Sequence, residues 1–214
     1  MTTGPLTSDT EFVSARRSEI VGIAAELFAS KGYANTTVRE IADAAGILSG
    51  SLYHHFDSKE SMIEALLRDF LERIDAQYRR VIAAAADPVD ALRELVHAAF
   101  GALATDRAAV AVMLNEYNLL VQYPRFAFLR DAVEATERLW VRVLATGMRT
   151  GAFRSDVPAD AVYRFLRDAI WVSVRWYRPD GPQQPGAIAD EYLTVLLGGL
   201  ATRRPTTRPT RRTR

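Results

Sequence analysis

The chain has 214 residues, 49% hydrophobic and 25% charged, enough apolar material for one large packed domain or two small ones. It contains no cysteine, which excludes disulfides, Cys-ligated zinc, iron–sulfur clusters and a thiol nucleophile, and its three histidines leave little for a His-rich metal site. The formal net charge is +1, but six cations are arginines between Arg203 and Arg214, which leaves −5 on the remainder and excludes a uniformly basic nucleic-acid coat. No apolar run approaches the ~20 residues that span a bilayer. Residues 1–10 are polar and lack a signal-peptide pattern. A cytoplasmic protein with no membrane partner is expected.

Almost every segment reads as helix, so the fold class expected is all-α. Residues 1–12 read as a flexible arm. Ile20, Ile23, Leu27 and Phe28 recur at helical spacing, and Gly32 suits the C-terminal end of that run. Thr37-Val38-Arg39-Glu40 is a T-x-x-E capping box that opens a second, short helix ending at Gly46. A third short segment, Ser49 to Phe56, follows. Asp57 or Ser58 caps a longer helix through Met62, Leu66, Phe70 and Ile74 towards Ala86. Asp87-Pro88 starts another, since proline fits a first helical turn. Further helices are expected over Arg107–Val121, Phe126–Met148, Ala159–Arg178 and Pro185–Ala201, separated by Tyr123-Pro124, the Gly151 to Pro158 stretch and Pro179-Asp180-Gly181-Pro182. The Arg-rich end, 203–214, is low in complexity and reads as a disordered tail.

The stretch from Thr36 to Lys59 carries the most information. Ile41, Ala42 and Ala45 give its first helix a small apolar inner face, and Leu52 and Phe56 anchor the second. Two short helices about a glycine turn have the layout of a helix-turn-helix, whose second helix enters the major groove. Ser49, Gly50 and Ser51 are small enough for close approach to base edges. Tyr53, His54 and Lys59 suit phosphates. Residues 1–60 hold five cations and eight acids, so positioned donors must outweigh bulk charge. On periodicity alone an ordinary helical corner fits as well, with Tyr53 and Phe56 in the core. His54-His55 is a poor metal pair, because adjacent helical residues point about 100° apart.

Residues 16–63 resemble the DNA-binding domain of the TetR family of bacterial repressors. The resemblance rests on Ala24, Leu27, Phe28, Gly32-Tyr33, Thr36-Thr37-Val38, Ile41-Ala42, Ala45-Gly46, Gly50, Leu52-Tyr53, His55-Phe56 and Ser58-Lys59-Glu60. It implies about nine helices: a helix-turn-helix domain over 13–60, then a ligand-binding and dimerisation domain over 61–202. It further implies a homodimer on double-stranded operator DNA with an inverted repeat, and no enzymatic activity. Ser49, Gly50, Tyr53 and His54 are the expected contact surface, with Thr37 and Lys59 on flanking phosphates. One departure stands out: Leu48 occupies the usual N-cap serine position and cannot cap.

In the second domain, Arg164, Arg167, Trp171, Arg175 and Arg178 fall on one helical face at about 100° per residue. An indole among guanidinium groups suits an anionic, partly flat ligand. A dimer seam with the arginines paired to a partner helix suits the same pattern. This helix and the GILSGSLYHHF run are similar to a group of actinobacterial TetR-type repressors of steroid catabolism. That resemblance implies a small-molecule acyl-CoA effector, a CoA thioester of a bicyclic steroid remnant from cholesterol degradation, and no cofactor. Trp171, Arg175 and Arg167 are the first expected ligand contacts. Tyr117, Trp140, Phe165 and Met113 are candidate apolar lining that ordinary core packing would explain equally. No nucleophile–base pairing, phosphate loop, dinucleotide motif or metal spacing supports an enzyme. Asp131 and Glu134 form a helix-spaced acid pair of the kind found on solvated faces.

Overall fold

A computed structural model describes the backbone from residue 6 to residue 200 and the side chains from residue 14. The described residues form nine α-helices and two short 3-10 turns, with no strand. The Arg-rich tail lies outside the described residues, as do residues 1–5. Helix α1 (Leu6–Lys31) begins inside the stretch expected to be a flexible arm.

Local chemistry sets the first boundaries. Gly32 has φ 86°, a left-handed conformation that turns the chain after α1. Thr37 caps α2 (Val38–Ala44): its side chain accepts the Glu40 N–H, and the Glu40 carboxylate accepts the Thr37 N–H at 2.8 Å. Gly46 (φ 66°) donates to the Asp43 carbonyl while Ile47 donates to the Ala42 carbonyl, the paired bonds of a Schellman turn. Helix α3 covers only Ser49–Leu52, shorter than expected, and the chain reaches Phe56 in turns. Ser58, rather than Asp57, caps α4 (Lys59–Ala84). Asp87 caps α5 (Pro88–Thr105) by accepting from the Val89 and Asp90 amides.

Helix α6 (Arg107–Leu120) leaves α5 at 98°. Then come α7 (Phe128–Arg149), α8 (Ala159–Val172) and α9 (Pro185–Leu200). Helix α5 is the centre of the second domain and packs against α4, α7 and α9. The first domain packs α1 on α2 and α4, and α1 also lies on α6, which joins the two domains. Apolar residues of both are continuous, from Ile20, Phe28 and Leu52 to Leu92, Phe100 and Leu144. No single described helix is long and apolar enough to cross a membrane.

Helix α8 ends earlier than its sequence pattern implies. The chain tightens into a 3-10 turn at Ser173–Arg175, and the buried Ser173 hydroxyl donates to the Ala169 carbonyl at 2.9 Å. The projection that set Arg175 and Arg178 on one face with Trp171 assumes continuous α-helix. The change of pitch breaks that face.

Candidate functional site

Two places gather functional chemistry. The first is the outer surface of α2 and α3. Leu52 and Phe56 are buried beneath it, and Ile41 and Ala42 fill the contact between the two helices. This leaves Gly50, Ser51, His54 and Tyr53 outward, with Tyr53 55% exposed, while Ser49 is half-buried. Gly50, Tyr53 and His54 therefore share one exposed surface. Thr37 is exposed at its edge, but its hydroxyl is already engaged with Glu40, donating to the carboxylate at 2.9 Å. Lys31 donates to the same carboxylate at 2.7 Å, and the bonds from Lys31 and Thr37 hold Glu40 down to about 2.

Lys59 is a correction. Its ammonium donates to the carbonyls of Tyr33 (2.7 Å) and Thr36 (2.8 Å) and sits 4.3 Å from the centre of the Tyr33 ring. Two of its three N–H donors are thus turned inward, so Lys59 staples the turn after α1 to α4 and is not the free cation expected at a phosphate. Arg39, 85% exposed and only loosely paired with Asp43 at 3.8 Å, is the cation left facing outward beside Thr37. Sequence reasoning passed over it because it reads as part of the capping box. Arg16 donates to the Ala45 carbonyl at 2.8 Å, and the Arg17 guanidinium lies 4.4 Å from the Phe56 ring centre, so both brace the motif from α1.

The second place is a cavity of about 400 Å³ between α4, α6, α7 and α8. Phe70, Ile74 and Tyr78 come from α4, Met113 and Tyr117 from α6, and Arg167 and Trp171 from α8. Trp171 meets Phe70 edge-on, ring centres 6.3 Å apart. Its polar groups are few: Asn118, Thr136, Asp168, Arg167 and the phenols. Arg167 is held by Asp168 at 2.8 Å and lies over the Tyr163 ring. Burial raises the Tyr163 hydroxyl to about 12, so it stays a neutral donor. Of the expected ligand contacts, Trp171, Arg167, Met113 and Tyr117 thus line one cavity.

The other three do not. Trp140 is buried behind the wall, against Tyr78 and Tyr163, and lines a much smaller void there. Phe165 is 75% exposed on the far face of α8, because at about 100° per residue it points roughly 120–160° away from Arg167 and Trp171. Arg175 is exposed beyond the end of α8 and is absent from the cavity wall. The α4 lining residues read as core in the sequence, since an apolar wall facing a void has the same periodicity as one facing a side chain.

The two places are physically joined. Glu116, next to the lining residue Tyr117, accepts the Tyr33 N–H at 3.0 Å. The Tyr33 hydroxyl donates to Glu60 at 2.8 Å; burial and that carboxylate push its pKa well above the usual phenol range. Further along α4, Glu64 accepts from Arg68 (2.9 Å) and Arg125 (2.6 Å). Partial burial raises the Glu64 pKa, but the two guanidinium groups outweigh it and leave it lowered. Helix α4 therefore carries both the clamp to the first domain and the Phe70–Tyr78 wall of the cavity.

Comparison with known proteins agrees with this division. Residues 20–66 match bacterial regulatory proteins of the tetR family, and residues 85–200 match the tetracyclin repressor-like C-terminal domain. The chain is 47% identical to the HTH-type transcriptional repressor KstR2 of Rhodococcus jostii (strain RHA1), over 93% of this chain and 98% of that one. It is 46% identical to KstR2 of Mycobacterium tuberculosis (strain H37Rv), over 88% of this chain and 94% of that one. A solved structure of the M. tuberculosis ketosteroid transcriptional regulator KstR2 superposes with a TM-score of 0.86, covering 88% of this chain and 96% of the other.

Proposed function

The chain belongs to the tetR family of bacterial regulatory proteins, and from that premise we propose that it represses steroid-ring catabolism genes until a CoA thioester of a bicyclic steroid remnant releases it from its operator. It is a DNA-binding transcriptional repressor and not an enzyme; its curated relatives are repressors. The observation that carries the effector reading is the cavity: aromatic and aliphatic walls, one guanidinium, and about 400 Å³. That volume suits a bicyclic acyl group and leaves no room for the nucleotide of coenzyme A. The acyl part lies against Trp171 and Met113, with the thioester carbonyl near Arg167. The CoA phosphates lie outside, where Arg175 and Arg178 follow the end of α8. The steroid class is supported by the ketosteroid regulator whose sequence and fold this chain resembles.

Release follows from the shared helices. A ligand wedged between α4 and α6 shifts two helices that also hold the first domain, through Glu60–Tyr33 and Glu116–Tyr33. The ligand favours the geometry with the wedge, and operator DNA favours the geometry without it, so each weakens the other. Dimerisation uses the exposed apolar residues of the last two helices, Phe165 and Val172 on α8 and Val195 on α9. A two-fold protein selects an inverted-repeat operator.

The test is an operator-release titration with three ligands: the bicyclic CoA thioester, its free acid, and coenzyme A alone. The thioester should release operator at concentrations where both fragments do not. Equal potency of the free acid would remove the phosphates from recognition.

A further inference from the structure

The reading surface lacks the side chains that make two-point contacts to base edges. Two-point hydrogen bonding to a base edge uses Arg, Lys, Asn or Gln, and single acceptors of the Asp or Glu type read cytosine. Leu48-Ser49-Gly50-Ser51-Leu52-Tyr53-His54 contains none of these. Leu52 is buried, Gly50 has no side chain, and the two serines are short. Beside Tyr53 and His54, the large side chain facing outward is Leu48, 80% exposed. It stands at the leading end of α3 in extended backbone (φ −69°, ψ 144°) and makes no capping hydrogen bond. A serine there would supply the cap and remove an apolar side chain from water. Leu48 thus carries two costs in the free protein and contributes nothing to its core.

We propose that Leu48 reads the 5-methyl group of a thymine in each operator half-site. The leading residues of the second helix of a helix-turn-helix meet base edges in the major groove, and there the thymine methyl is the apolar feature presented. Gly50 and Ser51 let the start of α3 approach closely enough for Leu48 to cover it. The contact makes apolar burial, and not a charged fork, the main discriminator at that base pair. This fits a domain whose first 60 residues are net acidic.

The test uses an operator selected from random duplexes by the full-length protein. Each thymine is then replaced by deoxyuridine, which differs only in the methyl group. One symmetry-related pair of thymines should stand out. Its demethylation should weaken binding about fourfold per half-site and roughly fifteenfold for both, the value of one buried methyl group each. Leu48→Ala should bind the thymine operator at least that much more weakly and be indifferent to the replacement. Leu48→Ser should show the same indifference while melting no lower than the parent, because it restores the cap; Leu48→Met should keep the sensitivity. Indifference of the parent protein to every deoxyuridine overturns the proposal. So does a sensitivity that Leu48→Ala retains in full. A protein that retains no duplex overturns the reading surface itself and the proposal with it.

Discussion

At the scale of single residues, the first domain is held by groups that resemble DNA contacts in the sequence. Lys59→Ala should lower stability on the order of 1.5 kcal/mol, because two carbonyls lose a charged donor, while the salt dependence of operator binding stays unchanged. A slope of log K that falls by about 1 with stability intact would return Lys59 to the phosphates. Glu40 gives a pH test. Its pKa is lowered from 4.5 to about 2, so its contribution is present above 4.5 and fades as pH falls from there towards 2. The melting temperature of Glu40→Gln should lie below the parent at pH 6, and the gap should narrow below pH 4.5 and close only near pH 2; a constant gap contradicts the Lys31 pairing as its source. The Thr37–Glu40 cap was legible in the sequence because both partners lie within one turn. The Lys59 staple was not, since its acceptors are 23 and 26 residues away and are brought to it only by packing of α1 on α4.

At the scale of elements, the end of α8 separates cavity-lining residues from the rest. Helical spacing identified Arg167 and Trp171, which do share the cavity. It failed for Arg175 because no glycine or proline precedes Pro179 to signal the break, and apolar periodicity continues through Trp176 and Tyr177. The stop is made by Ser173, buried and bonded back to Ala169. The opposite face of α8 supports a prediction about assembly. Phe165→Glu should dissociate the dimer by more than a hundredfold, since each protomer loses a large apolar contact of about 1.5–3 kcal/mol; sedimentation measures this directly. A dimer of unchanged strength would remove α8 from the seam. Between the domains, Glu116→Ala leaves the Tyr33 N–H without its acceptor. Effector should bind this variant with near-normal affinity, yet the effector-induced loss of operator affinity should shrink by roughly threefold to thirtyfold. Undiminished coupling would exclude the Glu116–Tyr33 contact as its carrier.

At the scale of the whole molecule, a small acidic reading head and a larger domain with an apolar cavity are joined through helices α4 and α6, the physical link on which the proposed ligand-driven release rests. The starts of α2 and α5 were legible from the capping box and from Asp87-Pro88, whereas the division into two domains rested on the family resemblance. The cavity was only half legible, because Phe70, Ile74 and Tyr78 look identical in sequence to residues that touch a neighbour. The most direct test of the account is effector titration of operator-bound Trp171→Leu beside the parent protein, with the bicyclic CoA thioester. The variant should dimerise and bind operator normally, since Trp171 belongs to the second domain, and should need at least tenfold more thioester for half-release. Release at the parent's concentration, or loss of operator binding before any thioester is added, would contradict a ligand seated against Trp171 in the cavity.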